Sequence, residues 1–280
     1  MTQIVYLNGD FLPIESAKIS VLDRGFLFGD GVYEVIPVYG GKPFRLAEHL
    51  QRLENSLEGI RMESPLATSD WEAIFARLVD GTEDQSIYLQ VTRGAPPKRD
   101  HAFPKNTPPT VFAMCTPIAP IPASGVCAIT VPDIRWQWCH IKAITLLANV
   151  LQRQQAVDAG CAEAILVRDG QAIEGAASNL FVVSGGTIVT PPKGNDILPG
   201  ITRDLTVEIA HANGIPCEER PISLNELRAA SEVWVTSSTR EILPVVMLDQ
   251  SPVGDGAPGP VWQRMNSLYQ EHKLRLRQGL

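Results

Sequence analysis

Residues 133–149 read DIRWQWCHIKAITLLAN and place one lysine, Lys142, in a run that is otherwise apolar or small on its C-terminal side. Burial disfavours the ammonium form and lowers the pKa of a lysine, and a neutral amine is a nucleophile. The residues after Lys142 are typical of the wall of a packed interior. The alternative is an amphipathic helix whose lysine extends to water. The segment therefore predicts either a reactive amine or an ordinary surface cation.

The overall composition narrows the class of protein. The chain has 280 residues, which is enough for one large domain or two domains of ordinary size. Hydrophobic residues make up 44% and charged residues 20%, so a sizeable core is expected. The formal net charge of -7 argues against a general nucleic-acid or anionic-membrane binder.

Short motifs predict the cellular compartment of the protein and whether it binds a metal. The start, MTQIVYLNG, lacks the basic and apolar regions of a secretory signal, and no run of about 18 apolar residues occurs. The five cysteines form no C-x-x-C pair, and the five histidines form no H-E-x-x-H motif. We therefore expect a cytoplasmic protein with reduced thiols, without a metal site and without a membrane span.

The first part of the chain alternates strand-like and helix-like patterns. Asn8-Gly9 between two short apolar runs predicts a hairpin, and the glycine-rich residues 23–31 predict a loop. Apolar residues three and four apart predict helices at 46–57 and around Trp71–Val79. Further strands are predicted at 32–39, 86–92 and 110–116.

A proline-rich stretch predicts the domain boundary. Residues 117–125 read PIAPIPASG, which favours a stiff extended connector. We predict a small N-terminal α/β domain at 1–117, a linker at 118–125 and a larger C-terminal domain at 126–280. The fold class is α+β with two mixed α/β domains. The second domain is predicted to have helices at 146–159, 200–213 and 260–276 and strands at 126–131, 162–167, 171–174, 179–183, 187–190 and 231–236.

Three further groups of residues have side chains or backbone groups that could form a binding site. Leu198-Pro199-Gly200 leads into a helix, whose first N–H groups suit a phosphate, although most helix starts bind nothing. Residues 236–239 place four hydroxyls after a strand, as the wall of an anion cup or as a plain turn. Glu174 precedes very small residues that would admit a flat ring; alternatively it is an acid in a solvated loop. An amine, an acid and a phosphate cup are the parts of a pyridoxal 5'-phosphate site.

Several segments then closely resemble one enzyme family. They are DRGFLFGDGVYE at 23–34, EHLQRL at 48–53, IK at 141–142, EGAASN at 174–179 and GITR at 200–203. These segments are similar to the fold-type IV pyridoxal-phosphate enzymes, which include branched-chain aminotransferases, D-amino-acid aminotransferases and aminodeoxychorismate lyases. The resemblance runs from about Tyr6 to about Val246. Consistency across separate segments favours the reactive-amine interpretation of Lys142.

The resemblance implies a role for each matching residue, with the cofactor lying between the two domains. Lys142 resembles the Schiff-base lysine, which also moves the proton at the substrate α-carbon. Glu174 resembles the acid that pairs with the pyridine nitrogen, and Leu198 the apolar residue that packs against the ring. Arg135 resembles a basic residue near the phenolic oxygen. The remaining cofactor contacts implied are Arg52, Ile201, Thr202, Ser237 and Ser238 around the phosphate, together with Ser178 and Asn179.

The implied substrate site rests on Tyr33, Arg99 and His101. They resemble the carboxylate trap of D-amino-acid aminotransferases, in which an arginine and a histidine from the neighbouring subunit join a tyrosine. A guanidinium fork binds a carboxylate through two bonds. Without the resemblance, residues 98–101 would be a solvated basic loop. Ala177, where many relatives carry a hydroxyl, and residues 96–98 before Arg99 depart from the pattern.

The sequence thus predicts a homodimeric enzyme that transfers an amino group between a D-amino acid, such as D-alanine, and a 2-oxo acid, such as 2-oxoglutarate. Its expected partners are these small molecules, not nucleic acid or membrane. Alternatives on the same fold are a branched-chain or R-selective amine transaminase and an aminodeoxychorismate lyase. A non-catalytic binding protein of the same fold is the alternative from another class.

Overall fold

The chain forms two compact units in the computed structural model, which describes residues 2–122 and 124–279. The first unit comprises Met1–Ile118, Ile141–Leu146 and Leu276–Leu280. The second unit comprises Ala119–His140 and Leu147–Arg275. Each unit therefore contains more than one segment of the chain.

This division differs from the predicted domains 1–117 and 126–280. Two short segments that the prediction gave to the second domain belong to the first unit. The physical reason is packing, because Ile141 and Ala143 are buried in the first unit's core. Near the C-terminus, Lys42 Nζ donates to the carbonyl of Leu276 at 3.3 Å. Ala123, in the predicted linker 118–125, lies outside the described residues.

The first unit is built on a six-stranded sheet with the order β2-β1-β6-β5-β3-β4, in which all neighbouring strands are antiparallel. The elements are β1 (Ile4–Leu7), β2 (Asp10–Pro13), α1 (Arg24–Phe28), β3 (Gly31–Tyr39), β4 (Lys42–Pro43), α2 (Leu46–Gly59), α3 (Thr68–Leu78), β5 (Gln85–Thr92) and β6 (Thr110–Pro117). The predicted hairpin, both longer helices and the longer strands are confirmed.

The glycine-rich run is only partly the loop that was predicted. It contains the short helix α1, whose first turn is capped by Asp23 Oδ1 accepting from the Gly25 backbone N–H at 2.8 Å. Gly29 ends the helix in the left-handed region, with φ of 66°. A side chain at Gly29 would also meet Thr145, so glycine fits here for two reasons.

The lysine-bearing segment adds to the edge of β3. The Tyr33 backbone N–H donates to the Lys142 carbonyl at 3.0 Å, and the Ile144 N–H donates to the Gly31 carbonyl at 3.0 Å. Ile141 and Ala143 are buried, as the apolar run predicted. The same prediction is wrong for Leu147, which is 70% exposed because it begins a helix of the second unit.

The second unit is built on a ten-stranded mixed sheet with the order β12-β11-β10-β14-β15-β7-β8-β9-β13, and β16 pairs with β15. Its strands are β7 (Val126–Pro132), β8 (Glu163–Arg168), β9 (Gln171–Gly175), β10 (Asn179–Ser184), β11 (Thr187–Thr190), β12 (Cys217–Glu219), β13 (Ile222–Ser223), β14 (Glu232–Ser237), β15 (Glu241–Leu248) and β16 (Ser251–Pro252). Its helices are α4 (Leu147–Asp158), α5 (Ile201–Ala212), α6 (Leu224–Ala229) and α7 (Pro260–Gln278).

The predicted helices and strands of this region are present, but the central strand β15 carried no prediction. Pro244 lies within it, and proline is ordinarily confined to strand edges and bulges. Helix α4 packs against β7 and β8, and α5 packs against β14. Within the described residues, no helix is long and apolar enough to cross a membrane.

Candidate active site

Lys142 is held by its own backbone beside β3 of the first unit. Its N–H donates to Ser56 Oγ at 3.1 Å, and its carbonyl accepts from the Tyr33 N–H. Its side chain is half-buried, and Nζ lies 4.1 Å from the centroid of the Tyr33 ring. The lysine is therefore neither a core residue nor a freely solvated one, and its side-chain nitrogen has an aromatic neighbour.

Arg52 forms a buried cluster with two residues that the sequence analysis did not select. Its Nε and Nη2 donate to the two oxygens of Glu34 at 2.7 and 2.8 Å, and His49 Nδ1 lies 2.9 Å from Glu34 Oε2. Burial raises the pKa of Glu34, but Arg52 and the His49 bond outweigh burial and lower that pKa well below its usual range. Burial lowers the pKa of His49.

Tyr33 points to the sheet face opposite Glu34, as the two-residue period of a strand requires. Its ring stacks on Tyr88 of β5, with centroids 5.8 Å apart. Burial, and then Tyr33, raise the pKa of Tyr88 to about 12. The Tyr88 hydroxyl donates to Gln90 at 2.7 Å. The pair forms an aromatic surface beside Lys142.

Arg99 and His101 lie in the trap loop, the irregular residues 94–109 between β5 and β6. Both side chains are exposed, yet both contact one ring. The Arg99 guanidinium lies 4.6 Å from the Phe28 centroid, and the His101 ring lies 5.1 Å from it. Among residues 2–122 and 124–279, no hydrogen bond or ring contact joins Arg99 or His101 to Tyr33 of the same chain.

Glu174 is buried in the second unit among several donors. Arg135 Nη1 donates to it through a short ion pair. Asn179 Nδ2 donates at 2.9 Å, and the Leu198 N–H lies 3.2 and 3.3 Å from its two oxygens. Burial raises the pKa of Glu174 to about 7, while Arg135 and the Leu198 N–H limit the rise. The carboxyl is therefore close to balance between its two protonation states near neutral pH.

Arg135 is fixed from behind by a second carboxylate, Asp133, which the sequence analysis missed. Asp133 accepts from Arg135 Nε at 3.0 Å and from Nη2 at 2.9 Å, and it also accepts from Arg168 at 2.8 Å. Arg135 was predicted to lie near the cofactor's phenolic oxygen. The structure gives it Glu174 and Asp133 as partners.

Four of the residues predicted to contact the phosphate, Ile201, Thr202, Ser237 and Ser238, belong to the second unit, whereas Arg52 belongs to the first. A Cβ on Gly200 would lie 1.9 Å from Asn179 Oδ1, so only glycine fits at this helix cap. Asn179 pairs in register with Thr236, which brings the start of α5 near the end of β14 and Ser237. In the part of the chain that the structure describes, no side chain caps α5. Ile201 and Thr202 form the first turn of this helix, and Ser237 and Ser238 lie at the end of β14.

Ser178 is linked to the strands by a buried acid, Glu163. Ser178 Oγ donates to Glu163 Oε2 at 2.9 Å, and Arg240 Nη2 donates to the same oxygen at 3.0 Å. Ala177 does not take part in these bonds. The sequence did not indicate a role for Glu163, because nothing in its local sequence shows that this charged strand residue is buried.

These arrangements match one family along most of the chain. Residues 31–248 match the model of the family described as "Amino-transferase class IV". The chain belongs to this family of fold-type IV aminotransferases.

Individual relatives match nearly the whole chain. The D-alanine aminotransferase of Bacillus licheniformis is 39% identical over 275 residues, which cover 96% of this chain and 97% of that protein. The D-alanine aminotransferase of Staphylococcus aureus strain MW2 is 38% identical over 274 residues, with coverage of 96% and 97%.

Solved structures share the fold. A branched-chain aminotransferase from Thermoproteus uzoniensis with norvaline superposes with a TM-score of 0.89 and 28% identity, covering 100% of this chain and 96% of that one. A branched-chain amino acid aminotransferase from T.th., complexed with N-(5'-phosphopyridoxyl)-L-glutamate, has a TM-score of 0.89 and 31% identity, covering 98% and 94%.

Pyridoxal 5'-phosphate is the cofactor of this family, and the residues of this chain fit it. An aldehyde needs an amine such as Lys142, and a ring nitrogen needs an acid such as Glu174. The helix cap at Gly200 has no side-chain partner among the described residues, which suits a phosphate. In the same described ranges, the buried Thr236 Oγ1 has no hydrogen-bond partner, so this region also holds a polar atom that a ligand would satisfy.

The environment of Glu174 predicts a pH-dependent stability for the cofactor-free protein. Its pKa rises from an ordinary value of 4.5 to about 7, so folding retains a proton that the unfolded chain releases between these values. The stabilising contribution is complete below the lower value and is lost as pH rises through the higher one. Between about pH 5 and about pH 7.5, the wild type should lose about 2 kcal/mol more unfolding free energy than Glu174→Gln.

Chemical denaturation of both cofactor-free proteins at the two pH values measures this difference. Parallel pH dependence in wild type and Glu174→Gln would contradict the raised pKa. A steeper fall in Glu174→Gln would reverse its sign.

Proposed function

We propose that the chain transfers amino groups between D-amino acids of the D-alanine class and 2-oxo acids such as 2-oxoglutarate. The observation that carries the proposal is the trap loop, in which Arg99 and His101 both rest against Phe28. Two adjacent donors fixed on one ring suit a carboxylate. Similarity to D-alanine aminotransferases over nearly the whole chain supports the same substrate class.

Bound pyridoxal 5'-phosphate supplies an aldehyde for amines and a ring that accepts electrons from the substrate α-carbon. Lys142 would hold the cofactor through Nζ, and the same Nζ would accept the proton that leaves the substrate α-carbon. Its position beside Tyr33 keeps Nζ against an aromatic face, and the Ser56 bond fixes the backbone that carries it. Fixing this amine lowers the entropic cost of proton transfer.

Glu174 would pair with the ring nitrogen of the bound cofactor, and Arg135 favours the charged form of this buried carboxyl. Without Arg135, burial alone would keep the carboxyl protonated at neutral pH. Asp133 accepts two bonds from the Arg135 guanidinium and so fixes its orientation beside Glu174. We therefore add support of Glu174 to the predicted role of Arg135 near the phenolic oxygen.

The cofactor phosphate is assigned to the cup formed by Ile201, Thr202, Ser237 and Ser238, with Arg52 as its cation. Glu34 fixes the Arg52 guanidinium with two bonds, so Arg52 has a set orientation before any ligand binds. Ser178 and Asn179 are assigned to the entrance of this cup. The Leu198 side chain is assigned to the face of the cofactor ring.

The substrate carboxylate is assigned to Tyr33 together with Arg99 and His101 of a neighbouring subunit. The exposure of the last two in a single chain supports this division. So does the lack of any contact with Tyr33 of the same chain among the described residues.

The homodimer that this division needs is supported by an apolar stripe on the second unit. Four residues on one face of α4, at 49–70% exposure, are Leu147, Val150, Leu151 and Val157. Exposed apolar residues clustered on one helix face favour an interaction surface. Burial against a second copy would cover it. We also propose a cytoplasmic location, supported by five free cysteines.

A branched-chain substrate is the second candidate, because the solved structures cited above are branched-chain enzymes. Their identity of 28–31% is lower than the 38–39% shared with D-alanine aminotransferases. The trap loop is the feature that should separate these two substrate classes.

Removing the trap arginine should weaken D-amino-acid use selectively. Arg99→Ala should raise the half-saturating concentration of D-alanine about 10- to 100-fold, because one charged hydrogen-bonded partner of the carboxylate is lost. The rate with (R)-1-phenylethylamine, which has no carboxylate, should change much less. Single-turnover absorbance of the pyridoxal form measures both reactions.

Two controls bracket this experiment. Lys142→Ala should abolish both half-reactions, and Lys98→Ala, an exposed neighbour in the same loop, should leave the D-alanine reaction close to wild type. Wild-type affinity for D-alanine in Arg99→Ala would remove Arg99 from the carboxylate site.

The dimer proposal predicts that a charge in the apolar stripe disrupts association. Leu151→Asp should weaken the dimer at least about 100-fold, because an unpaired carboxylate would be buried. Gln155→Asp, exposed on α4 outside the stripe, is the matched control and should remain dimeric. Sedimentation velocity over a concentration series measures both. A monomeric wild type, or an unchanged Leu151→Asp dimer, would refute this interface.

A further inference from the structure

The trap loop has little regular structure of its own, although it carries two proposed substrate contacts. Residues 94–109 form neither helix nor strand, and Arg99, His101 and Phe103 are exposed. Ordering such a loop at the moment of binding would cost affinity. Something outside the loop must therefore hold Arg99 and His101 in place.

Arg24 holds the backbone of this loop at three successive residues. Its Nη1 donates to the carbonyls of Asp100 and Ala102, and its Nη2 donates to the carbonyl of His101 at 3.2 Å. The Arg24 backbone N–H also donates to the Gly94 carbonyl at 2.9 Å. Only the planar, five-donor guanidinium can satisfy several carbonyls at fixed angles.

Arg24 is itself fixed and buried, with 3% of its surface exposed. Its Nε donates to Asp30 Oδ2 at 2.7 Å. Asp30 also accepts from Arg93 Nε at 2.8 Å, and the Arg93 guanidinium lies 3.7 Å from the Phe103 centroid. Asp30 thus binds both Arg24, which donates to the loop backbone, and Arg93, which packs on Phe103 of the loop.

Phe28 supplies the second support, for the side chains instead of the backbone. Its ring is contacted by Arg24 at 4.9 Å, by Arg99 at 4.6 Å and by His101 at 5.1 Å. Arg24 and Phe28 are four residues apart in α1, so they lie on one face of the helix. Asp23, which caps α1, also accepts from Thr92 and Thr110 at the two strand ends that flank the loop.

We infer that Arg24 and Phe28 are positioning residues for substrate recognition, holding Arg99 and His101 of the trap loop in the geometry that binds the substrate carboxylate. This inference rests on the proposed function. In this role both residues act through Arg99 and His101. Arg24 sets the height and direction of the loop backbone, and Phe28 limits the rotamers of the two trap side chains.

The inference predicts coupling between residues 24 and 99. Arg24→Lys keeps the charge but loses the fork, so it should raise the half-saturating D-alanine concentration about 10- to 100-fold while changing the maximal single-turnover rate little. In the Arg99→Ala background, the same substitution should add no more than about twofold, because the contact it supports is already lost. Phe28→Leu should behave in the same way.

Arg77→Lys is the matched control. Arg77 also lies over an aromatic ring, that of Phe11, but among the described residues it makes no recorded contact with the trap loop. Arg77→Lys should leave D-alanine affinity within about twofold of wild type. Thermal unfolding of each variant verifies folding, and hydrogen exchange of the peptide spanning 95–106 should rise in Arg24→Lys and stay unchanged in Arg77→Lys.

The outcomes separate this inference from the proposed function. An equal effect of Arg24→Lys in wild type and in Arg99→Ala, or no effect in wild type, would overturn the positioning role while leaving the trap intact. An Arg99→Ala variant with wild-type D-alanine affinity would instead remove the trap, and with it the basis of the inference. Loss of maximal rate without loss of affinity would also overturn it.

Discussion

The pairing of residues 141–144 with the edge of β3 is the interaction on which the site depends. Backbone bonds of Tyr33 and Ile144 carry this pairing, and Ser56 of α2 adds a third bond. An amine that works on a bound ring must be held by something stiffer than a loop. Here the central antiparallel sheet of the first unit, through β3, provides that stiffness, so a lysine far along the chain becomes part of its fold.

The same strand sorts the chemistry onto two faces. Glu34, with its side chain fully buried, meets Arg52 and His49 of α2, while Tyr33 meets Lys142. The alternation of a strand therefore places the Glu34 carboxylate and the Tyr33 ring on different faces of β3. In the second unit, Asp133 and Glu174 both pair with Arg135, so the buried Glu174 has the Arg135 cation beside it at neutral pH. Both units use an arginine to make a buried carboxylate tolerable.

Much of this architecture was predictable because its signals are local. Apolar spacing indicated α2 and α5, Asn8-Gly9 indicated the first hairpin, and short motifs indicated Lys142 and Glu174. Long-range contacts were not predictable in this way. Arg24 lies 76 to 78 positions from the carbonyls it binds, and Asp133 is recognisable as the partner of Arg135 only once both side chains are placed. Helix α1 was missed because its glycines favour a loop and its stability comes from Asp23 and the neighbouring strand ends.

We propose that this class IV aminotransferase accepts D-amino acids through the trap loop. The most direct measurement mixes the purified pyridoxal form with D-alanine or with L-leucine in separate experiments and follows the visible absorption of the cofactor. We expect rapid bleaching by D-alanine and little change with L-leucine in the same time. Rapid bleaching by L-leucine together with an unreactive D-alanine mixture would contradict it.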